Sequence, residues 1–232
     1  MNLFTVDIDW APEAVIADTL AMFEQYGVAC TLFATHRSPL IDRCSRELFE
    51  VAIHPNFNPL LAGKGGDAGR IVDELLELYP EARGVRCHSM AQSALLFDLF
   101  QSRGLTYDAN QFLPYWTDIK PFRIWNGLLR IPYNWEDDIH FSYGRSFDDT
   151  GLQTSTLNVF DFHPIHVFLN TDTADCYNRA RQHYHDADAL MHCRNDRGPG
   201  ARTLLERLLQ QASAQGHGTT LAALADRQPQ LV

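Results

Sequence analysis

The fold follows from one stretch near the N-terminus, Leu3-Phe4-Thr5-Val6-Asp7-Ile8-Asp9-Trp10. In a β-strand successive side chains point to opposite faces, so Asp7 and Asp9 are expected to share a face. Residues 12–26 follow with apolar positions at helical spacing and end at Gly27, which predicts a helix. A strand followed directly by a helix is typical of a parallel sheet. The two carboxylates are therefore predicted to lie at the carboxyl edge of such a sheet.

Two neighbouring carboxylates at the end of a buried strand need a physical explanation. They repel each other, and each raises the pKa of the other unless a cation or a division of roles separates them. A natural arrangement has one acid on a metal ion and the other free as a base. The alternative is that Asp9 caps the helix that begins near Pro12. That alternative leaves Asp7 unexplained.

Predicted strands and helices alternate through the first hundred residues, which indicates an α/β protein with a parallel sheet, either a barrel or an open doubly wound sheet. Residues 107–150 are aromatic-rich and irregular, as long active-site loops often are. No linker interrupts the pattern, so residues 1–232 are expected to form one domain, with an end that frays from Pro229. Further strands are predicted at 28–34, 49–53, 84–87, 105–107, 122–125, 128–132 and 157–162, helices at 38–48, 67–79, 91–102 and 203–215, and a short closing element at 219–225.

The composition excludes several classes of protein. The chain has 232 residues and a formal net charge of −10, which argues against a nucleic-acid partner because phosphate binding needs a basic face. No secretory signal precedes the first strand, and no apolar run has the ~20 residues needed for membrane insertion. The five cysteines are scattered without a Cys-x-x-Cys pair, as expected of reduced thiols. The expected location is cytoplasmic.

A histidine motif, His54-Pro55-Asn56-Phe57-Asn58, follows the strand predicted at residues 49–53. If a helical turn begins at Pro55, His54 and Asn58 lie on one face and could join Asp9 around a metal ion. Asparagine is a weak neutral ligand, so this set is less typical of zinc than two histidines and a carboxylate. Taken alone, His54 favours a histidine that caps a loop, but together with Asp7 and Asp9 it favours a ligand.

Arg86 and His88 follow the next predicted strand. An arginine among carboxylates lowers their pKa values and fixes their orientation. The alternative is a surface arginine in an ordinary loop. For His88 the sequence leaves three interpretations open: a metal ligand, a substrate contact or a hydrogen-bonded structural histidine.

Two later segments carry the remaining candidates. Trp135-Glu136-Asp137-Asp138 places a tryptophan beside acids, and such a ring can form the wall of a sugar pocket, although a solvated acidic turn would look the same. Alternation in the last predicted strand puts Asp161 and His163 on one face, where the histidine could serve as a general acid near neutral pH. His166 lies just beyond and is a weaker candidate.

Taken in order, these motifs resemble those of the polysaccharide deacetylase (NodB-homology, carbohydrate esterase family 4) superfamily, over roughly residues 3–225. No single motif is specific, but five of them in order at strand ends are. The resemblance implies the following roles: Asp7 is the catalytic base, Asp9 and His54 bind the metal, Arg86 holds the base, residues 135–138 form the aromatic-acidic fourth motif, and His163 is the general acid.

The resemblance also implies a distorted (β/α)7 barrel and a metal-dependent hydrolase that removes an N-acyl (acetyl or formyl) group from an amino sugar. The metal would be zinc, with cobalt or nickel as alternatives. The short chain resembles a bacterial branch linked to surface polysaccharide (O-antigen) synthesis, acting on an amino sugar or nucleotide sugar. A backbone N–H near Cys87 or His88 is expected to stabilise the oxyanion, and Asp161 or Asp137 to raise the pKa of His163.

One position departs from the family pattern, because Asn58 stands where the second metal-binding histidine is expected. Three outcomes are open: Asp9, His54 and Asn58 bind the metal weakly, His88 or His166 replaces the missing ligand, or no metal is bound. The rival functions are a metal-free hydrolase of another small amide and a catalytically inactive sugar-binding protein of the same fold.

Overall fold

The computed structural model describes residues 1–152, 156–216 and 218–229, so most of the end predicted to fray lies outside the described residues. Its strands are β1 (Asn2–Asp7), β2 (Cys30–Ala34), β3 (Phe49–Ile53), β4 (Gly84–Val85), β5 (Tyr107–Asp108), β6 (Phe122–Arg123), β7 (Leu129–Arg130), β8 (Trp135–Glu136) and β9 (Asn158–Phe162). Its α-helices are α1 (Glu13–Tyr26), α2 (Pro39–Arg43), α3 (Asn58–Leu61), α4 (Ala68–Leu78), α5 (Ala94–Ser102), α6 (Asp137–Ser142), α7 (Pro164–Leu169), α8 (Ala174–Ala180), α9 (Ala187–His192), α10 (Ala201–Ala214) and α11 (Leu221–Asp226).

The strands form one sheet in the order β6-β7-β5-β4-β3-β2-β1-β9-β8. Neighbouring strands are parallel except for the antiparallel pair β6 and β7. The first strand lies between β2 and β9, with Thr5 paired to Thr31 on one side and to Asp161 on the other. Parallel strands need crossover connections, and the helices supply them on the outer face of the sheet.

The sheet curls into a half-barrel, and a short segment of the chain spans from one end of it to the other. β7 lies towards one end of the sheet and β8 at the other, yet only residues 131–134 separate them in the chain. Within that link the Tyr133 N–H donates to the Gln111 carbonyl at 3.0 Å, and the Asn134 N–H donates to the Val159 carbonyl at 3.2 Å. The link thus joins both sheet ends, and the predicted α/β class with a distorted barrel is confirmed.

Two apolar cores follow from this curvature. The larger lies between the sheet and the outer helices, and the smaller fills the inside of the barrel. α11 belongs to the inner core through Leu221 and Leu224. Its first backbone N–H groups donate to Thr31 Oγ1 and to a carboxylate oxygen of Glu50, each within 2.9 Å. The helix therefore closes the amino-terminal end of the barrel and leaves the carboxyl end for polar side chains.

Some predicted local structure is wrong. β1 ends at Asp7, and Asp9 and Trp10 lie in a turn with φ values of 44° and 57°, so strand alternation does not extend to Asp9. Residues 54–57 are not helical, and α3 begins only at Asn58, so His54 and Asn58 do not share a helix face. The prediction failed because Pro55 can begin a turn or continue an extended chain.

The short helices α3, α6, α7, α8 and α9 were also not predicted. Each has at most seven residues, too few to show helical periodicity in a sequence. Among the described residues, no helix combines the length and apolar character required to cross a bilayer.

The inner position of α11 gives a stability prediction. Leu221 is fully buried, so Leu221→Ala should lower the free energy of unfolding by about 2–5 kcal/mol through lost burial and a residual cavity. The matched control is Leu95→Ala, because Leu95 is 82% exposed and its truncation should change stability by less than about 0.5 kcal/mol. Urea unfolding measures both variants. Equal stability losses would show that α11 is not part of the core.

Candidate active site

The candidate side chains converge at the carboxyl edge of the barrel. Asp7 ends β1, His54 follows β3, Arg86 follows β4, and His163 follows β9. All four side chains are buried, and Asp7 and His163 are the most exposed of the four. Parallel strands bring their carboxyl ends together, so residues far apart in sequence meet here.

Arg86 is the centre of a buried ion-pair network. Its Nη1 donates to Asp7 Oδ1 at 2.9 Å, to Thr5 Oγ1 at 2.9 Å and to Asp161 Oδ1 at shorter range. Its Nε donates to the Ala109 carbonyl at 3.1 Å. The predicted contact between Arg86 and Asp7 is therefore present, and Asp161 is a second carboxylate on the same nitrogen.

The surroundings of Arg86 fix the plane of its guanidinium. The Phe33 and Tyr133 rings lie on it, with ring centroids 4.4 Å and 4.3 Å from the guanidinium carbon. Burial alone would lower the arginine pKa, but Asp161 and Asp7 raise it overall, so the charge is permanent. Burial and the nearby Asp7 raise the pKa of Asp161 to about 7, although Arg86 opposes this.

A second group consists of Asp9, His54 and His88. His88 Nδ1 lies 2.9 Å and His54 Nε2 lies 3.2 Å from Asp9 Oδ1. Burial alone would raise the pKa of Asp9, but hydrogen bonds with His54 and His88 and the charge of His163 lower it well below its usual range. One potential ligand atom from each of the three residues lies within 4.8 Å of the others. Two imidazoles and a carboxylate are a frequent donor set of catalytic zinc, so these residues fit a divalent metal.

Asn58 is exposed and differs from the other predicted ligands in its contacts. Its side-chain nitrogen donates to Ser89 Oγ at 3.0 Å, and its backbone N–H donates to Asn56 Oδ1. The helical turn expected to point it at the metal is absent. Of the alternatives left open by the sequence, the geometry favours His88 as the third ligand.

His163 is held by Asp137. The His163 Nδ1 lies 2.7 Å from Asp137 Oδ1, and the His163 backbone N–H donates to Asp137 Oδ2 at 2.9 Å. Burial would lower the pKa of His163, but Asp137 raises it well above its usual value. Its Nε2 points towards Asp9 Oδ2, 3.7 Å away. Of the two acids proposed for this role, Asp137 contacts His163, whereas Asp161 binds Arg86.

Two other sequence-based interpretations need correction. Trp135 is 1% exposed and packs among Phe147, Phe160 and Phe162, so it does not wall a sugar pocket. Because side chains alternate along β8, Trp135 points to the helices. His166 is also buried, with Nδ1 3.2 Å from Thr171 Oγ1, and burial lowers its pKa well below the usual value. It packs against His163 and lies outside the Asp9 group.

The backbone N–H groups of Cys87 and His88, near which an oxyanion donor was expected, both donate hydrogen bonds within the protein. The Cys87 N–H donates to Asn110 Oδ1 at 2.6 Å, and the His88 N–H donates to the Pro55 carbonyl at 3.0 Å. Both bonds hold the loop after β4 in place. Neither of these two N–H groups is free for a substrate oxygen, and the expectation of an oxyanion donor near Cys87 or His88 stays a prediction.

Thr5 and Tyr184 also contact the site and were not predicted from the sequence. The Thr5 hydroxyl donates to Asp161 Oδ1 at 2.6 Å, and its alternation with Asp7 in β1 was a signal that could have revealed it. The Tyr184 hydroxyl donates to the Asp9 carbonyl at 2.9 Å. No local pattern connects residues this far apart in sequence, so only the fold reveals that contact.

Comparison with known proteins agrees with this geometry. The family model described as WbmS-like polysaccharide deacetylase matches residues 4–181. A search of curated proteins gives no match. Among solved structures, a protein from Bordetella bronchiseptica described as a polysaccharide deacetylase involved in O-antigen biosynthesis is 40% identical, with 90% of each chain covered and a TM-score of 0.86.

More distant structures share the fold. A polysaccharide deacetylase from Mycobacterium smegmatis has 17% identity and a TM-score of 0.58, with 100% of this chain and 92% of that chain covered. A peptidoglycan N-acetylglucosamine deacetylase has 14% identity and a TM-score of 0.53, with 96% and 86% covered. From the family match and the 40% identical structure, the chain belongs to the WbmS-like polysaccharide deacetylase family and is a deacetylase-type hydrolase of amide bonds.

Proposed function

We propose that this protein is a metal-dependent deacylase that removes an acetyl or formyl group from the nitrogen of an amino sugar. The proposal rests on one observation: three groups of side chains lie together at the carboxyl edge of the barrel. The three groups are Asp7 with Arg86, Asp9 with His54 and His88, and His163 with Asp137. Together they would supply a base, a metal site and an acid, a combination that can hydrolyse an amide.

Asp7 is the proposed base. Arg86 donates to one oxygen of its carboxylate, which leaves the other, Oδ2, facing His54 at 3.6 Å and the mouth of the barrel. This fixed oxygen can accept a proton from the attacking water. Arg86 stabilises the ionised carboxylate and orients it, so its contribution acts through Asp7.

His163 is the proposed acid. The leaving nitrogen of an amide must gain a proton before it departs as an amine. Asp137 favours the protonated imidazole and holds Nδ1, so Nε2 is the nitrogen that points to the reacting groups. Its proximity to Asp9 places the donated proton beside the proposed metal site.

Asp9, His54 and His88 are the proposed ligands of the divalent metal, which we take to be zinc, with cobalt or nickel as alternatives. When bound, the metal would polarise the amide carbonyl and activate the attacking water. The hypothesis of an inactive sugar-binding protein rested on Asn58. The position of His88 beside Asp9 weakens that argument, because a third strong donor is present.

The substrate is proposed to be an amino sugar or nucleotide sugar in bacterial surface polysaccharide (O-antigen) synthesis. The support is the Bordetella bronchiseptica protein, whose description names O-antigen biosynthesis and which aligns over 90% of both chains.

The metal site is tested by metal content. The purified wild-type protein, incubated with zinc and desalted, should hold about one equivalent, since the donor set matches catalytic zinc sites. Asp9→Ala should lose it, and His88→Ala should bind it at least tenfold more weakly. Elemental analysis and chelator competition measure both.

Asn58→Ala distinguishes the two possible third ligands. We expect it to retain wild-type metal affinity. If Asn58→Ala loses the metal and His88→Ala keeps it, the ligand assignment is wrong. If the wild type binds no zinc, cobalt or nickel and still hydrolyses amides, the metal-free hydrolase replaces this proposal.

The acid and base are tested by kinetics on N-acetylated amino-sugar substrates. Asp7→Asn should abolish turnover and leave metal content unchanged, because the amide cannot accept the proton. His163→Ala should lower kcat on the order of a hundredfold or more, as expected for a lost general acid. Near-native rates in either variant would remove that residue from the mechanism.

Asp161 is proposed to hold Arg86 in place behind Asp7. Asp161→Ala should lower the free energy of unfolding by about 3 kcal/mol, because it leaves a buried arginine with fewer acceptors. The matched control is Asp226→Ala, which removes the exposed ion pair with Arg83 and should have little effect. Chemical denaturation compares the two. Equal losses of unfolding free energy in the two variants would show that the buried ion pair stabilises the protein no more than the exposed one.

A further inference from the structure

The metal ligand Asp9 lies in a turn whose backbone is unusual. The Ala11 N–H donates to the Ile8 carbonyl at 2.9 Å, and the two residues between them, Asp9 and Trp10, both have positive φ. This is the pattern of a type I′ turn, in which glycine and asparagine are preferred. Aspartate tolerates that conformation, but a bulky tryptophan is strained there. The surrounding structure must therefore hold the turn in place.

Both polar groups of the central peptide bond are held by side chains. The Asp9 carbonyl accepts a hydrogen bond from the Tyr184 hydroxyl at 2.9 Å, and the N–H of Trp10 donates to Thr35 Oγ1 at 3.2 Å. The carbonyl and this N–H belong to the same peptide unit. Two hydroxyls on opposite sides thus set the rotation of that plane, and the direction of the Asp9 side chain depends on it.

Tyr184 reaches the site from a distant part of the chain. It follows a short turn between α8 and α9 and is 175 residues from Asp9 in sequence. It lies beyond residues 4–181, over which the chain matches the family model. The region that contains α8 and α9 therefore contributes a direct contact to the candidate metal site.

We propose that Tyr184 is a positioning residue for Asp9: its hydroxyl holds the Asp9–Trp10 peptide so that the carboxylate faces His54 and His88. Thr35 holds the other side of the same peptide. The Tyr184 contact would order Asp9 before metal or substrate binds. The metal-binding test below rests on the proposed function.

The test uses Tyr184→Phe, which removes one hydroxyl and keeps the ring. Zinc affinity, measured by chelator competition, should fall about tenfold, as for other lost partners of metal ligands. Thr35→Val should lower zinc affinity by a similar factor. The double variant should lower it by less than the product of the two single factors, because both hydroxyls hold the same peptide. The control is Tyr26→Phe, whose hydroxyl bonds Glu206 on the surface, and it should keep wild-type affinity.

A second measurement needs no metal. In the metal-free protein, amide hydrogen exchange at Trp10 should be at least several-fold faster in Tyr184→Phe than in the wild type, with an unchanged unfolding midpoint. Wild-type metal affinity in Tyr184→Phe would overturn the inference even if Asp9→Ala loses the metal. If the wild type binds no metal, the ligand assignment fails, and the role of Tyr184 is then decided by amide exchange at Trp10. Unchanged exchange in Tyr184→Phe would overturn that role.

Discussion

The interaction on which the site depends is the buried charge of Arg86. A guanidinium inside a barrel is costly unless it has acceptors, and here two carboxylates and a hydroxyl accept from Nη1 and a carbonyl accepts from Nε, whereas Nη2 has no partner among the described residues. These acceptors come from β1, β9 and the segment after β5, so the arginine ties three parts of the sheet together. Asp7, the proposed base, is one of these acceptors, and its hydrogen bond with Arg86 fixes its orientation.

The barrel separates apolar from polar groups along its axis. α11 and the inner apolar side chains fill the amino-terminal end, the Arg86 network lies beyond them, and the Asp9 and His163 groups lie at the carboxyl end. The mostly parallel sheet explains this order, because every strand except β6 presents its carboxyl end to the same side. A buried network beneath these groups also limits their movement, which suits the proposed base, acid and metal site.

The sequence predicted the residues at strand ends better than their partners. Asp7 with Arg86 followed from strand positions and from the family resemblance, since both depend on short motifs. Two interpretations depended on local structure: the placement of Asn58 assumed a helical turn that does not form, and Trp135 was misassigned because the face of a two-residue strand that points outward is not evident from the sequence. Asp161 and Asp137 were the two predicted partners of His163; Asp137 contacts it, whereas Asp161 binds Arg86, 75 residues away in sequence. Contacts across that distance depend on sheet register, which local patterns do not specify.

Charge balance is a separate argument for the proposed metal. Asp7 and Asp161 share the single charge of Arg86, and Asp137 is matched by His163. In the described part of the chain, the ion-pair partners of Asp9 are all histidines, and these compensate its charge only when they are protonated. A divalent cation would compensate Asp9 and allow His54 and His88 to remain neutral, the state in which imidazole binds metals. The same residues that look like a set of competing ion pairs in the metal-free protein thus form a consistent site once a cation is present.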